Sequence, residues 1–350
     1  MAAVPPTVTT LKSFLSATTP SNIFKRGRGK KLTQIDVCLK TWEQGGKTIP
    51  QLVQLIRACR GWLAAKSDSM SARRVSRRQH VKKLANEAFA RLQYETFEER
   101  KGGGSYDGSL QGMVGHYQHE RTTYLASGKQ QAVSGSTAAM IMKSGRQMQS
   151  PTINGHLDSL GGRTIDQLTT RQFENLVRTC APNCGEPLEV YFMKKQERLT
   201  KLIIIEDGIL YCSPTKKYDT GGHQFAYAID NYGNLFSVDH TRFDATLDPT
   251  AQRFNHSSFN AGKDVICAGV MIVDNGRLKY IDNNSGHYKP DKIQVINALR
   301  FLRECGVDLF ASVKVGVKEM ESGHLVMKEY SNAAAFVQNP RIPADKTTRI

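Results

Sequence analysis

"FNHSSFNAGKDVICAGVMIVDNGRLKYIDNNSGHYKP", residues 254–290, carries the reading on which the fold turns. Two runs in it, 264–273 and 277–281, are rich in apolar and β-branched residues, and Asp274-Asn275-Gly276 stands between them. An Asn-Gly step between such runs predicts a tight hairpin, because the turn that matches strand twist needs two residues with positive φ. Side chains that alternate between faces then make the runs an antiparallel pair. Two polar clusters bracket the pair: His256-Ser257-Ser258 before it and Ser285-Gly286-His287-Tyr288 after it. The outer ends of a hairpin meet. The clusters are therefore expected at one edge of one sheet, although the whole hairpin separates them in sequence.

That juxtaposition is a candidate site. Histidine exchanges protons near neutral pH, so His256 and His287 are the candidate acid and base. Ser257 beside a histidine is a candidate nucleophile, with Tyr288 as a further hydroxyl. Ser258, Ser285 and Lys289 could grip a nucleotide, with NAD as the candidate cofactor, and Glu319 or Glu321 could supply a carboxylate. The competing reading is structural, since Ser, His and Tyr at strand ends commonly hydrogen-bond loop backbones. No GxGxxG follows a strand and no Walker loop occurs. Gly102–Gly104 reads as a linker. Cys180 and Cys184 are the close cysteine pair, and no second ligand pair stands near them, so no metal site is expected. Seven scattered cysteines point to reduced thiols, not a disulfide framework.

Outward from the hairpin, "LTKLIIIEDGILYCS" and "HQFAYAIDNYGNLFSV" read as further strands, and "KPDKIQVINALRFLRECGVDL" as a helix. Pro290 opens that helix, Ile293, Ile296, Leu299 and Leu302 line one face, and Gly306 ends it. The fold class expected is α+β: an N-terminal helical hairpin, a flexible linker, and a C-terminal, mainly antiparallel sheet with a packed helix. The expected boundaries are a disordered tail over 1–31, a basic helical hairpin over 32–100, a Gly/Ser-rich linker over 101–165, the α+β domain over 166–318, and a loose tail over 319–350. In the helical part, Leu52, Leu55, Ile56, Cys59 and Leu63 recur at helical spacing, as do Val75, Val81, Leu84, Ala88 and Leu92.

The net charge is +16, and residues 1–110 hold 20 Lys and Arg against 8 Asp and Glu. Three quarters of the excess thus lies in the first third of the chain. Such an arm suits an acidic partner or an acidic surface. No apolar run approaches the roughly 18–20 residues that span a bilayer. The Ser/Thr/Pro-rich start lacks the apolar centre of a Sec signal peptide and reads as a tail or a secretion address.

The elements His256–Phe259, Ala268-Gly269, Asp274–Gly276, Ser285–Tyr288 and the helix over 291–309 together resemble the C-terminal domain of the plant IQM proteins, the IQ-motif-containing calmodulin-binding family. They also resemble effector-like or toxin-like proteins of fungi and bacteria. The resemblance covers under a third of the chain. An IQ motif proper pairs Ile/Val-Gln with Arg-Gly at fixed spacing; here Val53-Gln54 is followed by Arg60-Gly61, two residues late. The leading expectation is a secreted bacterial effector or toxin acting inside a host cell, otherwise cytoplasmic. It would carry a nucleotide- or NAD-dependent transferase site, ADP-ribosyltransferase-like, or a hydrolase, at the paired clusters. The alternative is a non-enzymatic module that binds calmodulin or another acidic host protein through residues 50–92. A ribonuclease-like toxin ranks third and nucleic acid is the least favoured partner, because few aromatic residues interleave the cations.

Overall fold

The computed structural model describes residues 5–19, 30–65, 72–102, 169, 172, 189–191, 193–244, 246, 252–260, 265–286, 288–310 and 312–350. The chain divides into two compact units, Met1–Gly104 with Tyr211–Tyr218, and Ser105–Leu210 with Asp219–Ile350.

The first unit is helical: α1 (Leu11–Thr18), α2 (Lys30–Gln44), α3 (Ile49–Ala64) and α4 (Ala72–Gly102). α1 and α3 have local start signals, and α2, α3 and α4 carry apolar stripes. The hydroxyl of Thr10 accepts from Ser13 N at the start of α1. Thr48 N donates to Gln51 Oε1 (3.0 Å) at the start of α3, where Pro50 occupies the first turn. Leu52, Leu55, Ile56, Cys59, Trp62 and Leu63 bury the inner face of α3. Val81, Leu84, Ala88 and Leu92 do the same for α4. The expected pair of helices is thus part of a four-helix arrangement. α2 contributes Leu32, Ile35, Leu39 and Trp42, a stripe that polar neighbours dilute in the sequence. The expected tail over 1–31 contains α1, whose Phe14 is buried. It is tied down by Thr9 N donating to Glu87 Oε2 (2.8 Å) and by Arg77 Nε donating to Thr18 O (2.9 Å). The linker expectation beyond Gly102 and the cysteines Cys180 and Cys184 lie outside the described residues.

The second unit is built on a mixed sheet. In chain order its elements are β1 (Glu189–Val190), α5 (Lys195–Lys201), β2 (Ile204–Glu206), β3 (Ile209–Tyr211), β4 (Phe225–Asp230), β5 (Leu235–Val238), α6 (His240–Asp244), β6 (Gln252–Arg253), a 3₁₀ turn (His256–Ser258), β7 (Val265–Asp274), β8 (Arg277–Ile281), α7 (Lys292–Glu304), β9 (Lys314–Glu321), β10 (His324–Tyr330), α8 (Ala333–Gln338) and β11 (Lys346–Arg349). The seven-stranded sheet runs β11-β10-β9-β8-β7-β4-β5. Every neighbouring pair is antiparallel except β8–β9, where α7 makes the crossover. The α+β class is as the sequence predicts.

The hairpin at 254–290 forms as expected. Asp274 faces Arg277, and Asn275 (φ 47°) and Gly276 (φ 81°) both take the left-handed conformation of a I′ turn. Asp207-Gly208 and Ser322-Gly323 repeat this turn. The last of these overturns the expectation of a loose tail. Residues 319–350 complete β9, add β10 and β11 to the sheet, and form α8 between them. Their charged residues serve the exposed side, where Lys328 Nζ lies 2.8 Å from both Glu319 and Glu321.

α7 packs on β7 and β9 through Val295, Ala298, Leu299 and Leu302. Ile293, expected on that face, is 52% exposed, because its helical phase puts it on the outward face with Arg300 and Glu304. The Asp291 carboxylate accepts from Ile293 N (2.6 Å), and Asp291 N donates to Gln294 Oε1 (2.8 Å). Asp291→Ala removes a side-chain cap and is expected to cost about 1 kcal/mol, read as a lower midpoint in urea unfolding. An unchanged midpoint would mean that packing alone fixes the start of α7.

Candidate functional site

The geometry around β7 is organised by a glycine. Gly269 pairs with Tyr227 of β4, and the backbone carbonyl of Asp282 crosses so close that a Cβ on Gly269 would overlap its oxygen. His256 reaches the same residue, with Nε2 2.8 Å from Gly269 O. A carbonyl can only accept, so this nitrogen carries the hydrogen and donates. Gly269 is therefore reached by His256 from before the hairpin and by Asp282 from after it. His256 contributes its ring, and the stretch after β8 contributes backbone and the Asp282 carboxyl. His287, the second candidate, lies outside the described residues.

Ser257, Ser258, Ser285 and Tyr288 are buried among the loops. Ser258 Oγ accepts from Asn255 N (2.9 Å), and Ser258 O accepts from Met193 N (3.0 Å). Ser257 is fully buried. Ser285 Oγ accepts from Tyr288 N (3.3 Å), and Tyr288 is 1% exposed. Lys289 is exposed, has φ 46°, and its N–H donates to Ser285 O (3.0 Å).

Residues that the sequence reading passed over carry the strongest interactions. Asp282 Oδ1 accepts from Val270 N (2.8 Å) and Asn284 N (2.9 Å), and Oδ2 accepts from Tyr280 OH (2.9 Å). Tyr227 OH donates to Asp282 O (2.7 Å) from a fully buried position. Asn283 Nδ2 donates to Pro290 O (2.6 Å) and Lys318 O (3.0 Å), and its Oδ1 accepts from Lys318 N (2.6 Å). One amide thus joins the loop after β8 to β9. The signal available was "YIDNNSG", four polar residues at the end of an apolar strand, the pattern of side chains that bond backbone at a turn.

Burial governs the ionisation of this cluster. It pushes the Asp282 carboxyl up to about 6, against the pull of its backbone N–H donors. It pushes the His256 imidazole down to about 4, so the ring is neutral at pH 7. Burial likewise raises the Cys267 thiol to about 12. Among the described residues no group of three or more His, Cys, Asp or Glu could hold a metal ion.

A glycine-centred α+β module with buried polar loops is the class of structure that this geometry defines. Residues 197–295 match the family described as the IQ motif-containing protein middle domain. Among curated proteins, the chain is 53% identical over 57 residues to IQ domain-containing protein IQM3 of Arabidopsis thaliana, covering 16% of this chain and 12% of that protein. It is 46% identical over 56 residues to IQM2 of the same plant, covering 16% and 9%. It is 27% identical over 150 residues to IQM5, also of Arabidopsis, covering 42% and 28%. The chain thus spans under a third of the length of each of these relatives. No solved structure matches it.

These matches bear out the likeness to the IQM proteins and correct the leading functional expectation. The relatives are plant IQ-type proteins, which conflicts with a secreted bacterial effector or toxin and with the virulence role tied to it. The plant relatives fit the binding-module alternative better than the toxin-type reading that led the sequence analysis. No helix among the described residues is long and apolar enough to cross a membrane.

Proposed function

We propose that this chain is a binding protein whose helical unit holds an acidic protein partner. Calmodulin, the partner that the IQM resemblance implies, is the first candidate. The observation that carries this reading is the surface of the helical unit. Lys12, Lys30, Lys31, Lys40, Lys47, Arg57, Lys82 and Lys83 are exposed, against Glu43 and Glu99 as the exposed carboxylates among its described residues. Opposite charge across an interface speeds encounter and fixes orientation. The apolar face of α3 is already buried in the bundle. The partner is therefore put on the basic surface, and α3 need not leave the bundle to enter a groove on the partner. The engagement of Ser258, Ser285 and His256 in loop hydrogen bonds supports a structural role for the two clusters.

Calorimetric titration of the full chain with calmodulin, with and without calcium, tests the reading. Charge reversal of Lys40, Lys47, Lys82 and Lys83 to Glu is expected to weaken binding at least tenfold, and added salt to weaken the unaltered chain. Equal affinity of the reversed and unaltered chains would remove the basic surface from the interaction.

A further inference from the structure

The helical unit has a groove of about 370 Å³ between α2 and α3. Lys31, Arg57, Gln34 and Gln54 line it from exposed positions, and Ala58 and Trp62 line it from buried ones. Gly61, in the last turn of α3, also faces this space. A helical glycine costs roughly 1 kcal/mol relative to alanine. At several other positions a close neighbour explains the glycine, as Asp282 does at Gly269. At Gly61 a Cβ would meet no atom within 4 Å, and the residue does not have positive φ. The bundle therefore has no packing or backbone need for glycine there. What its missing side chain does is leave helix backbone bare at the groove, where Lys31 Nζ approaches Gly61 O at 3.4 Å.

We propose that this groove docks a short acidic segment of the partner protein. This rests on the reading of the helical unit as the binding part and names where on it the partner sits. Carboxylates of the segment pair with Lys31 and Arg57. Gln34 and Gln54, each with both a donor and an acceptor, bond its peptide groups. Its backbone runs over bare Gly61 toward the apolar surface of Ala58 and Trp62. No carboxylate lines the groove to repel such a segment. Two cations are few for a nucleic-acid backbone, which typically engages about six to ten phosphate contacts, and the paired amides suit a peptide better.

Trp62 supplies the readout, because Trp42, the second tryptophan, does not line the groove. The full chain is titrated with a Glu-Ala-Glu-Leu repeat peptide while tryptophan fluorescence is followed. A Lys-Ala-Lys-Leu repeat and a single-stranded oligonucleotide serve as comparisons. Saturable binding of the acidic peptide alone is expected. Gly61→Leu should fill the groove and weaken that binding at least tenfold without lowering Tm, since leucine favours helix over glycine. Lys31→Glu with Arg57→Glu should reduce it further. Unchanged affinity in Gly61→Leu overturns the groove, as does tighter binding of the oligonucleotide than of the peptide. If the lysine reversals away from the groove weaken calmodulin binding while Gly61→Leu does not, the basic surface stands and the groove falls. If neither calmodulin nor the peptide binds the unaltered chain, both readings fall together.

Discussion

Gly269→Ala is expected to destabilise the sheet unit by about 3 kcal/mol or more, at the upper end of overpacking effects. The added methyl would sit inside the contact distance of the Asp282 carbonyl oxygen and 2.7 Å from its Oδ1. Backbone cannot rotate aside as a side-chain tip can. This carbonyl is also held from the other side by Tyr227 OH, and the flanking carboxyl is held by Val270 N. Relief would require β7 and the loop after β8 to separate, which breaks those bonds and withdraws Gly269 O from His256. Both tryptophans lie in the helical unit, so their fluorescence would miss the event. Amide hydrogen exchange across β7 reads it directly, as a loss of protection in Gly269→Ala at a temperature where the unaltered chain is protected. Gly61→Ala is the matched control: its methyl meets nothing, and the change should stabilise slightly. Protection of β7 that survives Gly269→Ala would mean that the close approach is relieved at little cost.

The second large effect is a pH dependence concealed by cancellation. Asp282 has its folded pKa raised from an ordinary 3.8 to about 6. Between those values the folded chain keeps a proton that the unfolded chain has lost. This group therefore favours folding below about pH 4, and the benefit disappears as pH rises through 6. At about 1.4 kcal/mol for each unit, the swing is roughly 3 kcal/mol. His256 has its folded pKa lowered from 6.5 to about 4. Its contribution is full above 6.5 and is lost as pH falls toward 4. Part of the residue remains accessible, so solvent trims this swing to about 2 kcal/mol. The two slopes oppose each other between pH 4 and 6, and the unaltered sheet unit should be nearly flat there from these groups. Asp282→Asn keeps acceptors for the backbone N–H groups and exposes the histidine slope, with stability rising from pH 4 to 6.5. His256→Gln keeps a donor for Gly269 O and exposes the opposite slope. Exchange protection of β7 measured at pH 4.5, 5.5 and 6.5 would distinguish them. The same slope in both variants would refute the assignment.

The hairpin was legible because its turn chemistry is local: Asn275 and Gly276 state their conformation by residue type alone. The Ser322-Gly323 turn uses the same geometry, but from residue 319 on Glu and Lys interrupt the apolar residues, so the end of β9 and all of β10 read as a tail until a partner strand supplies their pairing. α1 was hidden for a similar reason, since its burial depends on α2 and α4. At the candidate site, the sequence announced His256, Ser258 and Ser285 by type but could not announce what they touch. His256 bonds a main-chain carbonyl, which every residue carries. Asp282 looked like an ordinary turn aspartate, and only the crossing of two strands over Gly269 makes it a buried acid.

The connection between β8 and β9 divides the sheet mechanically. On one side stand β5, β4, β7 and β8, joined by antiparallel ladders. On the other stand β9, β10 and β11. The ladder across the divide consists of Tyr280 facing Lys314 and Ile281 facing Val315. The Asn283 amide and the α7 crossover supplement it. The middle-domain match ends at residue 295, just inside α7. The matched half thus carries most of its own pairing, while the three last strands hang from it by a short seam. Under load or heat the sheet has a natural place to unzip, and a chain built this way can vary its last three strands without redrawing the four that precede them.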